Sequence, residues 1–428
     1  MWPWITSSPV AIRRTSPAMW RTSTYNVTLR GLTQVSKFVL LIFLARYFDV
    51  ADVGIWGLIN ITIAIGLYLL SSDFYIFNSR EILASSPERQ VLLIRNQAVY
   101  HLIAYAVVMP GLLLVFIGDL IPWQYAGWFY LLLLVEHTSH ESVQLLVTLS
   151  RPTIANVIIF IRSGMWAWVA IATAWSLPDL RQLPFIWTCW AAGGAASLVL
   201  AFAQLRRLPW STLRGEPIDF TWIRTGMKTA LPFLVATLSF QLLNNADRYF
   251  LQHFRGEEAV GVYTFFAGIA NVIHVIVFTG VCQILFPRLI SSYQGGQFDT
   301  YRHNRRLLTR GIVGLGVLLG ILALVLIQPV LDFLNRPVYT SEVDVFRIMV
   351  GSVVALCLSY IPHYALFVRR HDRPIIIAGI LALFVAVVMN TLLVPRMGIP
   401  GAAWATFTAM GFLLVTKSVA AVYYARSD

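Results

Sequence analysis

The sequence predicts an all-α membrane protein with about twelve transmembrane helices, arranged as two six-helix lobes of like orientation. Three observations support this fold class: the composition, the spacing of apolar segments and an internal repeat. Of the 428 residues, 58% are hydrophobic and only 12% are charged, and the mean hydropathy is +0.70. Soluble domains carry roughly 25% charged residues. So much apolar surface requires lipid as the solvent.

The apolar segments have the length that a membrane requires. A bilayer core of about 30 Å is crossed by roughly 20 apolar residues in a helix. We expect a cytoplasmic N-terminal tail over 1–24, an N-lobe over 25–205, a cytoplasmic connection over 206–228 and a C-lobe over 229–428. The predicted spans are 27–47, 53–76, 96–117, 124–149, 154–177, 185–205, 229–252, 260–287, 307–327, 343–367, 375–393 and 401–423.

The basic residues indicate the orientation of these spans. With the N-terminus placed inside, 22 of the 32 lysines and arginines fall on the inner side and five on the outer side. Short cytoplasmic loops carry such an excess. We therefore expect a multi-pass membrane protein with both termini in the cytoplasm. The same distribution explains the net charge of +12 as a topology signal beside anionic lipid rather than a nucleic-acid footprint.

The internal repeat relates segments that lie six spans apart. Residues 53–56 read Val-Gly-Ile-Trp, and residues 260–263 read Val-Gly-Val-Tyr. A second pair, Ser-Arg-Pro at 150–152 and Asp-Arg-Pro at 372–374, precedes spans five and eleven. Repeats of the same orientation are typical of transporters built from two related halves.

The fourth span carries an unusual polar face. At 100° per residue, Glu136, His137, His140 and Glu141 fall on one side of the helix. Such a face suits a packed interface with local hydrogen bonds, and it equally suits a hydrated wall whose groups carry protons. We predict that Glu141 pairs with Arg162 of the fifth span. We predict no metal site, because no thiolate or HExxH pattern lies nearby.

Three further spans place charged groups at membrane depth, where they are rare and usually face a cavity or a partner. Lys37 lies near the middle of span one, on the same face as Gln34. Arg248 ends a polar stripe along span seven, whereas Asp247 points elsewhere and is expected to pair locally. Asp73 lies near the inner end of span two, as part of an inner gate or facing water. The other members of the span-seven stripe are Gln241, Asn244 and Asn245.

Three stretches together resemble the Wzx or PST group of polysaccharide-unit flippases, within the multidrug/oligosaccharidyl-lipid/polysaccharide exporter (MOP) superfamily. They are Ala-Arg-Tyr-Phe at 45–48 leading to the 53–56 motif, Ala-Leu-Pro at 230–232 leading to Asn245-Ala-Asp-Arg248, and Val-Pro-Arg-Met-Gly-Ile-Pro-Gly at 394–401. The resemblance covers nearly the whole chain. The second span usually ends in an acidic-Gly motif in this group, whereas this chain reads Ser-Ser-Asp-Phe at 71–74.

The resemblance implies two six-helix lobes that open alternately to either side of the membrane. The implied location is the bacterial inner membrane. The implied cargo is an undecaprenyl-pyrophosphate-linked glycan, delivered to the periplasm by a transporter rather than an enzyme. Membrane lipid and the polysaccharide polymerase or chain-length machinery are the implied partners. By matching face and position, the substrate-binding candidates are Lys37, Arg162, Arg248, Gln34, Gln241, Asn244 and Asn245.

No cofactor, nucleic acid or metal is expected, and the sequence contains no P-loop for nucleotide binding. An ion gradient is therefore the expected driving force. Rival interpretations are a drug exporter of the same superfamily, the lipid II flippase branch, which typically has two more helices, and a membrane glycan-assembly enzyme. The ion-coupling or gating candidates are Glu136, His137, His140, Glu141, Asp73 and Asp247.

Overall fold

The computed structural model describes residues 17–427, and the side chains of residues 28–425. Between residues 17 and 427 the chain is almost entirely helical and contains no strand. The long helices are α1 Pro17–Tyr47, α2 Val50–Ser71, α3 Pro87–Ile117, α4 Ala126–Thr148, α5 Pro152–Ser176, α6 Leu183–Leu205, α7 Phe220–Arg255, α8 Glu257–Gln294, α9 Phe298–Leu334, α10 Val343–Val368, α11 Asp372–Met397 and α12 Ile399–Ser427.

Each of these twelve helices overlaps one predicted span. Eleven of them are long and apolar enough to cross a membrane, with α1 contributing residues 28–47. The remaining helix, α4, has 23 residues and corresponds to the predicted span with the polar face. The predicted fold class is therefore confirmed: the protein is an all-α, multi-pass membrane protein.

The described residues form two compact units. The N unit comprises residues 17–48 and 59–238, and the C unit comprises residues 49–58 and 239–427. The division falls inside α7, which begins at Phe220 within the predicted 206–228 connection. Residues 1–16 of the predicted tail lie outside the described residues, whereas residues 17–24 belong to α1.

Each unit has its own apolar core, in which small side chains allow helices to approach closely. In the C unit, Ala382 of α11 and Ala409 of α12 pack with Leu356 of α10. In the N unit, Ala155 of α5 and Ala201 of α6 pack beside α4. Because lipid tails are as apolar as the side chains, helix association in a membrane depends on this close packing rather than on exclusion of water.

Within the C unit, the two copies of the sequence repeat contact each other. A Cβ atom on Gly54 would lie 2.1 Å from the Glu257 carbonyl oxygen, and one on Gly261 would lie 2.0 Å from the Val50 carbonyl oxygen. The alignment that pairs Gly54 with Gly261 also pairs Val50 with Glu257, so the two contacts are equivalent. The start of α2 and the start of α8 therefore cross with backbone against backbone, which only glycine permits.

We expect Gly54→Ala and Gly261→Ala each to destabilise the protein by about 1–3 kcal/mol, because the added methyl group meets backbone that cannot move independently. The measurement is the thermal unfolding of the detergent-purified protein. Gly379→Ala is the matched control, since a Cβ atom there has no atom within 4 Å. Equal melting temperatures for the three variants would contradict the prediction.

Candidate functional site: a polar cluster in the N unit

Helix α1 is fixed against α5 by two side-chain hydrogen bonds. The Arg30 Nε donates to Asn156 Oδ1 at 3.1 Å, and the Trp168 Nε1 donates to Ser36 Oγ at 2.7 Å. The helices approach closely because α5 contributes Gly164 at this level, next to the α1 backbone. This docking determines which face of α1 is covered and which face stays open.

The open face of α1 carries the predicted cation. Lys37 and Gln34 are both exposed, although neighbouring positions on the docked face are buried. Lys37 is also close enough to Glu136 for electrostatic attraction, and close enough to Arg162 for repulsion. The N unit therefore brings together Lys37 of α1, Glu136 of α4 and Arg162 of α5.

Glu136 and Arg162 form a buried ion pair. The Arg162 Nε lies 3.5 Å from Glu136 Oε2, and the Trp190 Nε1 of α6 donates to Glu136 Oε1 at 2.6 Å. Arg162 belongs to a π-helical turn, Ile161–Met165, inside α5. Such turns are rare and occur frequently at functional sites.

The predicted pairing of Glu141 with Arg162 is wrong. Arg162 contacts Glu136, whereas Glu141 contacts α2 and α3. Glu136 and Glu141 are five positions apart, which separates their side chains by about 140° around the α4 axis. Glu136 therefore faces α5 and α6, and Glu141 faces the opposite neighbours.

Glu141 is surrounded by polar side chains from three helices. Ser71 Oγ donates to its Oε1 at 2.5 Å, and Gln97 Nε2 donates to its Oε2 at 2.9 Å. The His101 Nε2 lies 3.3 Å from Oε2, and the His137 Nε2 lies 3.9 Å from Oε1. The carboxylate is thus held by groups that converge on one point inside the N unit.

Three residues around Glu141 and His137 were not predicted from the sequence. Gln97, His101 and Tyr105 lie on one face of α3 because they are spaced by four residues. The Tyr105 hydroxyl lies 2.6 Å from His137 Nδ1 and so fixes that ring. This regular polar spacing in an otherwise apolar span is the signal that could have identified them.

The remaining gating candidates of the N unit have different surroundings. His140 is half-buried and lies within electrostatic range of Arg162 and both α4 carboxylates. Asp73 follows α2 in a turn with φ of 54°, and its carboxyl group is buried. The Thr237 hydroxyl of α7 donates to Asp73 Oδ2 at 2.8 Å. Asp73 therefore contacts protein rather than facing water.

In the C unit, Arg248 and Asp247 are buried next to each other. The Arg248 Nη1 lies 3.4 Å from Asp247 Oδ1 and donates to Asn245 Oδ1 at 3.2 Å. The Tyr263 hydroxyl also donates to Asp247, and Thr406 Oγ1 donates to its Oδ2 at 3.0 Å. The expected local pairing of Asp247 is confirmed.

The two asparagines of the α7 stripe donate hydrogen bonds within their own helix. Asn244 Nδ2 donates to the Phe240 carbonyl at 2.7 Å, and Asn245 Nδ2 donates to the Gln241 carbonyl at 2.9 Å. Gln241, Asn244 and Asn245 are all half-buried. Because the side-chain nitrogen of Asn245 donates within the helix, its Oδ1 can accept from Arg248. The stripe and the cation therefore form one polar surface of α7.

No protein-family model matches the chain, and no curated protein matches it in sequence. Solved structures do. An inward-facing MATE-family multidrug resistance transporter of the MOP superfamily matches with a TM-score of 0.73 and 12% identity, over 94% of this chain and 97% of that one. The lipid II flippase MurJ matches with a TM-score of 0.66 and 12% identity, over 94% and 87%. A Vibrio cholerae MATE transporter, VcmN, matches with a TM-score of 0.59 and 14% identity, over 95% and 98%.

The chain has the fold of the MATE transporters and of the lipid II flippase. At these identities the similarity shows the fold alone. This chain shares that fold with the first MATE transporter and with MurJ over most of the length of each chain. The MATE-like fold agrees with the predicted two-lobed, twelve-helix arrangement. These solved structures are two MATE-family transporters and the lipid II flippase MurJ.

Proposed function

We propose that the protein is a flippase that moves undecaprenyl-pyrophosphate-linked oligosaccharide units from the cytoplasmic to the periplasmic leaflet of the bacterial inner membrane by alternating access. The observation that carries this proposal is the exposed Lys37 ammonium beside the buried Glu136–Arg162 pair. A MATE-like fold, which a lipid II flippase also has, supports a lipid-linked cargo. The sugar-specific part of the proposal comes from the resemblance to the polysaccharide-unit flippases.

The charges of this cluster favour an anionic ligand. Arg162 is neutralised by Glu136, whereas Lys37 forms no ion pair with any residue that the structure describes. One positive charge therefore remains available in the cluster. A pyrophosphate cannot cross hydrocarbon unaided, because desolvating an ionised group is very costly. A fixed ammonium group supplies charge-assisted hydrogen bonds that replace part of this hydration.

Export of drug-like cations is the second candidate function, because this chain matches the structure of a MATE-family multidrug resistance transporter with a TM-score of 0.73. Glu136 and Glu141 are the α4 carboxylates that such a cargo could contact. Each already has protein partners: Arg162 and Trp190 contact Glu136, and Ser71 and Gln97 donate to Glu141. Of the two cationic side chains in this cluster, Arg162 is paired with Glu136, whereas Lys37 has no ion pair among the described residues, which favours the flippase.

We propose that an ion gradient drives the transport. Asp73 in the N unit is a buried carboxyl group that accepts from the neutral Thr237 hydroxyl, and such a group can hold a coupling cation, whereas Asp247 in the C unit is already paired with Arg248. The measurement is transport by the reconstituted protein under imposed proton or sodium gradients. A transport rate that is the same in every gradient would contradict ion coupling without affecting the proposed cargo.

Gene deletion tests the proposed cargo. We expect undecaprenyl-linked units to accumulate in the cytoplasmic leaflet and surface polysaccharide to disappear, because the polymerase and chain-length machinery would receive no substrate. Complementation with the intact chain should restore both. Sensitivity to cationic dyes is measured in parallel. Normal polysaccharide together with increased dye sensitivity would contradict the flippase proposal and support drug export instead.

A further inference from the structure

A cluster of three possible metal ligands lies beside the proposed cargo site. His101 of α3 and His137 and Glu141 of α4 each offer one ligand atom, and these atoms all lie within 4.8 Å of one another. Around a tetrahedral zinc ion with bonds of 2.0–2.1 Å, neighbouring ligand atoms are about 3.4 Å apart. Small side-chain rotations are therefore enough to close the three atoms onto one ion.

The ring nitrogen of His137 that faces the cluster has no hydrogen-bond partner among the described residues. This nitrogen is Nε2, and His137 is 1% exposed. The other nitrogen, Nδ1, lies 2.6 Å from the Tyr105 hydroxyl. When Nδ1–H donates to Tyr105, the Nε2 lone pair points towards Glu141. A metal-binding histidine typically has this outer hydrogen bond, which fixes its tautomer and its orientation.

The charge of Glu141 points to the same ligand class. Its hydrogen-bond donors Ser71 and Gln97 are neutral, and Arg162 is paired with Glu136 instead. A buried carboxylate requires a positive partner. A proton on His101 would balance this charge but would leave the His137 nitrogen empty. A divalent cation balances Glu141 and accepts both histidine lone pairs.

Contrary to the expectation from the sequence, we propose that His101, His137 and Glu141 bind a divalent transition-metal ion, and that zinc fits this donor set best. Two histidines and one glutamate with an open fourth position form a known zinc ligand set, and imidazole nitrogen excludes calcium or magnesium as the preferred ion. The ion would join α3 to α4 within the N unit. The site does not depend on the cargo, because its ligands are distinct from Lys37 and Arg162.

The test uses the full-length protein, purified in detergent, stripped with a chelator and titrated with Zn²⁺ against a chromophoric competitor. We expect one high-affinity ion per chain. His137→Gln and Glu141→Gln should lower the affinity at least 100-fold. Tyr105→Phe keeps all three ligands and should lower it about tenfold, which is the usual effect of removing an outer partner. Zn²⁺ should also raise the melting temperature of the intact protein.

His274→Gln is the matched control, because this histidine contacts Tyr360 in the C unit at 2.8 Å and lies outside the cluster. It should bind Zn²⁺ like the intact protein. The proposal is overturned if the intact protein binds no ion, or if His137→Gln and His274→Gln bind it equally. Should His137→Gln fail to fold, unchanged affinity of a folded Tyr105→Phe would overturn it as well. Co²⁺ bound to the site should show the intense visible absorption of tetrahedral coordination.

Discussion

Lys37→Ala should reduce delivery of lipid-linked units at least tenfold while leaving the protein folded. The Lys37 side chain is exposed and has no ion pair among the described residues, so its removal should change the free energy of unfolding by no more than about 0.5 kcal/mol. A hydrogen bond to a charged group contributes about 1.5–3 kcal/mol, which corresponds to roughly a 10- to 100-fold change in binding. The measurement is complementation of the deletion strain, normalised to the amount of protein in the membrane.

Two further variants separate charge from general disruption. Lys37→Arg keeps the positive charge and should retain most of the transport. Lys228→Ala removes an exposed lysine side chain outside the cluster, and this variant should retain normal transport. Normal surface polysaccharide from Lys37→Ala would remove Lys37 from the cargo site, and loss of the protein from the membrane would show that the residue has a structural role.

Breaking the Glu136–Arg162 pair should destabilise the protein more than removing both charges. The two side chains are 8% and 13% exposed, so water screens the pair only weakly. Removing one member leaves an uncompensated buried charge, which costs about 3–5 kcal/mol. We expect this cost for Arg162→Met and for Glu136→Gln, and partial recovery in the double variant. Gln is chosen because its carbonyl oxygen still accepts the hydrogen bond from Trp190.

The measurement is a double-mutant cycle on unfolding in detergent, in which additive effects would contradict the buried pair. Transport by the double variant then distinguishes the two roles of Arg162. A stable but inactive double variant supports contact with the cargo. Full activity would show that Arg162 only neutralises Glu136, and the proposed cargo site would then rest on Lys37 alone.

Much of the fold could be predicted because lipid imposes one condition on every span. In hydrocarbon each backbone polar group must be satisfied within its own helix, so apolar segments of sufficient length mark the helices. The exception is informative. Helix α4 is not among the eleven apolar spans, and it carries Glu136, His137, His140 and Glu141. The residues that make α4 polar are those that build the candidate site.

The sequence by itself determined the membrane class, the helices, the repeat and the residues that share one face of each helix, because 3.6-residue periodicity is a property of a single helix. Only the tertiary structure decided which faces meet. It paired Arg162 with Glu136 instead of Glu141, and it brought His101 to His137. Rotation and height of a helix depend on close contacts with its neighbours, such as Ser36 with Trp168, and no pattern within one span contains that information.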